Sequence, residues 1–346
     1  DVDESATITL DEDSCHLIEY WSEDKCGNVE DKHYELDIID SKAPNMTKTV
    51  GEPKVACSQG EECDYYITND TEISFTCEDV QPHPVGDVTM IIKTYWRNTS
   101  VDDWTLMTNN TINDGNYSIK FTEDSMHKIE YKCYDAFENG LEDNPQVEID
   151  YVDTQAPVIN KTIVGPSIPC PQNGFVSASV APQDCYIIDG VTEIHVNAVD
   201  PQPHPVDRVN CNYSYYWNDA WHGPYAEDDS FVIANWNESE HDLLIECWDA
   251  LGNFVPDREM FKVDKTAPNT TKEYRGPYYP NGTSEWITNA TEIYLSAVDG
   301  PEAHAAGVAN TSYRVTLVED ANCYDDSICQ TAVGSGDWNV YEEPFT

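Results

Sequence analysis

The chain has 346 residues, with 65 Asp and Glu against 18 Lys and Arg and a formal net charge of -47. A field of that sign repels phosphate backbones and anionic lipid, which excludes nucleic acid as a partner, and it attracts divalent cations and basic groups. Hydrophobic residues at 40% and aromatics at 11% separate the chain from a disordered acidic tail, and no run of about 18 apolar residues is present to span a bilayer.

The chain opens without Met and without a basic-then-apolar leader, so a processed product or a segment of a longer protein is expected. Residues 1–44 read as the second half of a repeat. The strand HLIEYWSEDKCGN from His16 runs into a polar turn opened by Asp24, and the linker DSKAP ends at Pro44. Residues 45–157 read as a complete repeat: Gly51 to Pro53, the alternating strand YITNDTEISF from Tyr65, an acidic turn with Asp79 and His83, Trp104, the late strand HKIEYKCYDAFEN from His127 with Asp135 at its turn, and the linker DTQAP ending at Pro157.

Residues 158–268 repeat that order with Gly165–Pro166, YIIDGVTEIHV from Tyr186, Asp200 with His204, Trp221, HDLLIECWDALGN from His241 with Asp249, and DKTAP ending at Pro268. Residues 269–346 carry only the first part, with Gly276–Pro277, WITNATEIYL from Trp286, Asp299 with His304, and Trp338. The linkers recur at 113 and 111 residues and the tryptophans at 117 and 117. That fixed interval predicts core positions for Trp104, Trp221 and Trp338, and leaves Trp96, Trp217 and Trp236 freer to stack on a sugar ring. With no helical periodicity, the fold class is all-β: tandem immunoglobulin-like antiparallel β-sandwich repeats of about 110 residues. Tyr131, two residues before Cys133, holds the tyrosine-corner position, from which Ile245 before Cys247 departs.

The 12 cysteines include no CxxC or CxxH knuckle, so disulfides and an oxidising compartment are expected over zinc. Cys57 with Cys63, Cys170 with Cys185 and Cys323 with Cys329 enclose short loops, and Cys77 with Cys133 suits an inter-sheet bridge. Ala198 stands in place of the early cysteine in the next repeat, where Cys211 becomes the natural partner of Cys247; Cys15 and Cys26 flank a strand and its turn and complete the set. Twelve N-x-S/T sequons, at Asn45, Asn69, Asn98, Asn109, Asn116, Asn160, Asn212, Asn237, Asn269, Asn281, Asn289 and Asn310, predict dense N-glycosylation, since chance would give roughly three or four.

Of nine histidines, His16, His127, His241, His83, His204 and His304 fall at equivalent repeat positions, and His33, His195 and His222 adjoin no nucleophile motif. A catalytic residue is not copied into each repeat at a place set by strand structure, so we expect no enzyme. No cofactor is expected from the pattern, and calcium is the one that these residues would admit. Asp40, Asp153 and Asp264 in the linkers and Asp79, Asp200 and Asp299 in the acidic turns read first as caps of their turns, and no DxDxDG loop is present; calcium ligation by their hard oxygens is the alternative. One Asp and one His per turn are too few for a transition metal.

The DxxAP linker, the HxIxY strand and the DxxGN turn resemble the Ig-like or hyalin-like repeats of large archaeal and bacterial surface proteins. The resemblance implies S-layer components, stalks, adhesins and extracellular filaments. We therefore expect an extracellular, cell-surface structural glycoprotein bearing N-linked glycans, continued end to end either by further repeats of a longer array or by half-domains of successive copies that complete each other through strand addition. The alternative is an adhesin or stalk module that binds glycans or a partner protein.

Overall fold

The computed structural model describes residues 5, 7–79, 86–170, 185–201, 206, 208–281, 284–300, 303–316 and 337–345, and every regular element among them is a β-strand. The strands are β1 (Cys15–Tyr20), β2 (His33–Ile38), β3 (Asn45–Val50), β4 (Lys54–Ala56), β5 (Tyr65–Ile67), β6 (Ile73–Glu78), β7 (Val88–Arg97), β8 (Thr105–Ile112), β9 (Asn116–Ile119), β10 (Met126–Asp135) and β11 (Gln146–Val152). They continue as β12 (Val158–Val164), β13 (Ser167–Pro169), β14 (Cys185–Ile188), β15 (Glu193–Val199), β16 (Asn210–Trp217), β17 (Ala220–Glu227), β18 (Ser230–Ile233), β19 (Ser239–Trp248) and β20 (Phe254–Val263). The last are β21 (Asn269–Arg275), β22 (Tyr278–Asn281), β23 (Ser284–Ile287), β24 (Glu292–Val298), β25 (Ser312–Tyr313) and β26 (Asn339–Val340).

Two compact units partition the chain. One comprises Asp1–Val158, Val199–Asn210 and Cys247–Val255, and the other Ile159–Ala198, Cys211–Glu246 and Pro256–Thr346. In the first, a sheet of order β4-β5-β11-β10-β7-β8 and a sheet of order β3-β6-β9 form a sandwich. Alternation along each strand creates its core: Ile73, Phe75 and Cys77 of β6 and Ile129, Tyr131 and Cys133 of β10 are buried and pack with Ile67, Met90, Ile92 and Val152. Cys77 and Cys133 join the two sheets through a disulfide, and Phe75 lies 5.1 Å from the corner tyrosine, Tyr131.

The next repeat has the same strand order, β13-β14-β20-β19-β16-β17 and β12-β15-β18. In both, the strand before the linker runs parallel to a strand near the start of the repeat, Asp150 opposite Tyr65 and Phe261 opposite Tyr186. The partial repeats keep the local pairings. The hairpin β1–β2 sets His16 opposite Asp37, the register of His127 opposite Asp150, and β21 pairs with β24 as β3 does with β6.

Cys57–Cys63 and Cys170–Cys185 are disulfides, and Cys211 and Cys247 are both disulfide-bonded. Cys323 and Cys329 lie outside the described residues. Cys15 and Cys26 are a correction: both are exposed and no disulfide joins them to each other. Cys15 opens β1 and Cys26 sits in the turn beyond its far end, and six extended residues span about 20 Å, whereas a disulfide needs Cα atoms within about 7 Å.

Candidate metal centres and open strand edges

Three turns of the DxxGN pattern are built alike. Asp135 Oδ1 accepts the backbone N–H groups of Phe137 at 2.8 Å and Asn139 at 2.9 Å, while Oδ2 accepts the Asn139 side-chain amide at 2.8 Å. Asp24 holds Cys26 and Asn28, and Asp249 holds Leu251 and Asn253, in the same way. The tight return after β10 depends on glycine: Gly140 has φ of 93°, and a Cβ there would sit 2.7 Å from the Cys133 carbonyl oxygen. The turn asparagine also reaches the linker, Asn139 Nδ2 donating to the Asp40 carbonyl and Asn253 Nδ2 to that of Asp153, each at 3.3 Å.

That tie brings the linker carboxylate to the turn. Asp40, Asp79 and Asp135 each present an oxygen within 4.8 Å of the others, and so do Asp153, Asp200 and Asp249. The second group is deeply buried, with Asp153 2%, Asp200 8% and Asp249 1% exposed. In it one oxygen of each aspartate fastens backbone: Asp153 Oδ1 accepts Gln155 N–H at 3.0 Å and Asp200 Oδ2 accepts Val206 N–H at 2.6 Å. Asp153 Oδ2 and Asp200 Oδ1 are buried without a hydrogen-bond donor among the described residues. Burial, then the charges of Asp200, Asp249 and Asp124, raises the Asp153 carboxyl to about 7, and burial with Asp249 and Asp124 raises Asp200 to about 6.

Asp264 and Asp299 come together in the last repeat, where they accept the adjacent N–H groups of Ala306 at 2.6 Å and Gly307 at 2.8 Å. Thus four of the six aspartates expected from the sequence, Asp40, Asp79, Asp153 and Asp200, fall into two clusters among the described residues, and Asp135 and Asp249 join them. Sequence reasoning had placed that pair only as turn openers; their recurrence in phase with the linker aspartates was the available signal. His83 and His204 lie outside the described residues, and His304 Nε2 is 3.5 Å from Glu238. His16, His127 and His241 each donate from Nε2 to the carbonyl four residues earlier, of Glu12, Glu123 and Asn237, a role in strand entry.

The repeated tryptophans are a second correction. Trp221 and Trp338 are exposed and Trp104 half-buried, whereas Trp236 is core. What recurs is an arginine beside the ring: buried Arg97 lies 4.2 Å from the Trp104 ring centroid, Arg258 5.7 Å from Trp221 and Arg314 5.0 Å from Trp338. Among the sequons, Asn45, Asn69, Asn98, Asn109, Asn116, Asn160, Asn237, Asn269, Asn289 and Asn310 are exposed and Asn212 is half-buried, while the Asn281 side chain lies outside the described residues.

Positions that are core in the complete repeats are exposed in the first and last repeats. Ile67 and Ile188 are buried at 0% and 1%, yet Ile287, at the same position of β23, is 44% exposed. On the hairpin, Tyr20 is exposed where Tyr131 is core. Each complete repeat also buries a lysine on its first strand against a glutamate five residues before the linker aspartate, Lys48 with Glu148 and Lys161 with Glu259. Lys272 holds that position on β21 with half its side chain exposed, 3.8 Å from Glu285 and 4.9 Å from the Tyr274 ring centroid; Glu35 holds the glutamate position on β2 and is exposed.

No family model and no curated protein matches the chain. Among solved structures it is similar to the FN1–FN3 domains of chicken CNTN1 (9% identity, 71% of this chain and 77% of that one, TM-score 0.24). It is also similar to fibronectin(III)-like modules of Clostridium thermocellum CbhA (16% identity, 63% and 95% covered, TM-score 0.25), and to a 1.5-MDa bacterial ice-binding adhesin (13% identity, 74% and 76% covered, TM-score 0.27). At such TM-scores the fold rests on the strand order and the core described above.

Proposed function

We propose that the chain is an extracellular structural glycoprotein whose copies join end to end, the β1–β2 hairpin of one copy completing the half sandwich 269–346 of the next to build a filament or surface layer. The observation that carries this reading is the split lysine–glutamate pair. Each complete repeat supplies both members from its own strands, whereas Lys272 and Glu35 stand at opposite ends of the chain, both exposed. Added beside β23, the hairpin would set β2 parallel to it as β11 lies beside β5, cover Ile287, and place Glu35 against Lys272. The disulfides fit an oxidising, extracellular compartment, and the exposed sequons leave room for glycans on the surface.

The test is a charge exchange, read by light scattering and negative-stain electron microscopy of the full glycosylated chain. Breaking one partner of a buried pair costs about 3–5 kcal/mol, so Lys272→Glu or Glu35→Lys alone is expected to weaken association at least roughly a hundredfold. The double variant restores it. A chain that stays monomeric at tens of micromolar, or single variants that assemble as the parent does, would sink the reading and assign the open edges to further repeats of a longer chain.

A further inference from the structure

We infer that the Asp153–Asp200–Asp249 and Asp40–Asp79–Asp135 triads are binding sites for a hard divalent cation, calcium, each closed between an inter-repeat linker and two turns. The inference is independent of end-to-end assembly, because every one of the six residues lies within one compact unit of a single chain.

Burial and orientation carry it. The three carboxylates of the second triad are each more than nine-tenths buried, with ligand atoms within 4.8 Å of one another. Turn capping engages both oxygens of Asp249 but only one each of Asp153 and Asp200; it leaves Asp153 Oδ2 and Asp200 Oδ1 over, buried among the carboxylates with no donor among the described residues. Three buried anions in mutual contact repel one another in a medium where water cannot screen them. A dication reverses the sign of each of those interactions.

The first triad repeats the arrangement. Asp40 Oδ1 accepts Lys42 N–H at 3.1 Å, and its Oδ2 is buried without a donor among the described residues. Asp124 stands beside the second triad as a fourth carboxylate, one oxygen held by Gln155 Nε2 at 2.5 Å and the other, Oδ1, buried without a described donor. Oxygen-only donor sets of this kind suit calcium, which takes six to eight oxygens in adaptable geometry, over softer transition metals. The remaining cluster of possible ligands, Cys57, Glu61 and Cys63, has both sulfurs committed to a disulfide.

The experiment compares thermal unfolding of the full glycosylated chain in EGTA and in calcium, at fixed ionic strength. The midpoint is expected to rise by several degrees and to saturate at about 10⁻⁴–10⁻³ M free calcium, the range of extracellular modules. Asp153→Asn with Asp200→Asn, which replaces the two oxygens that have no described donor, should raise the midpoint in EGTA, by removing like charge, and cancel one site's share of the calcium-induced rise. Asp143→Asn, an exposed carboxylate outside the clusters, should do neither. Should the double variant fail to fold, Asp200→Asn alone, read by tyrosine- and tryptophan-sensitised terbium luminescence, should lose about one of two bound ions. No calcium-dependent rise, an equal rise in parent and triad variants through diffuse screening, or binding of zinc without calcium would each overturn the inference.

Discussion

At position 150 the two complete repeats part company. One buries Asp150 in the sheet and the other buries Phe261 at the equivalent place, both wholly enclosed. Burial pushes the Asp150 carboxyl up to about 7, with Lys48 opposing and Asp64 reinforcing the shift. A carboxyl whose folded value exceeds its unfolded value near 4 costs nothing while protonated in both states; the cost grows as pH rises from about 4 to 7 and is constant above. Asp150→Asn is therefore expected to leave stability unchanged near pH 4 and to raise it by roughly 2–4 kcal/mol at pH 8, measured by urea unfolding at the two pH values. Single residues were also where the sequence misled. Equal spacing marks Trp104, Trp221 and Trp338 as shared features, but spacing does not distinguish a core ring from a ring set beside an arginine.

Strands were the most legible elements, because a sheet with one buried face writes its alternation into the chain, as Ile73, Phe75 and Cys77 do. Which turns face one another was not legible, since that depends on pairing across more than a hundred residues: Asn253 meets the Asp153 carbonyl from 100 positions away. The same amide donates to Asp249, so one side chain fastens both turn and linker. Asn253→Ala is expected to cost about 1–3 kcal/mol and to raise hydrogen exchange at Gln155 and Leu251, while Asn253→Asp should be worse because it adds a further carboxylate beside Asp153, Asp200, Asp249 and Asp124. The Cys15 and Cys26 expectation failed for an element-scale reason as well: proximity along a chain in the β conformation is distance in space.

For the whole molecule, repetition was legible from the linker spacing, and the identical strand orders of two sandwiches are its structural counterpart. The partial repeats add a coupling between the two proposals. Asp264 and Asp299 hold the repeat positions of Asp153 and Asp200 and accept adjacent N–H groups, and Asp24, built as Asp135 and Asp249 are, sits on the hairpin that would bring the third carboxylate in the proposed joint. Calcium binding measured on assembled material should accordingly exceed that of dispersed chains by one ion per joint, and chelation should lower the mean length of the assemblies.

In the proposed assembly the hairpin and the half sandwich are unlike surfaces, so every joint would have a direction and each growing assembly would carry one end of either kind. Such a system behaves as a step-growth polymer of a monomer with two complementary functional groups, whose mean length is set by the ratio of those groups in solution. A synthetic peptide covering residues 12–44, carrying the hairpin and Glu35 but no half sandwich of its own, would then act as a monofunctional chain stopper. Its addition should shorten assemblies in proportion to the amount added, and the same peptide with Glu35→Lys should leave their length distribution unchanged.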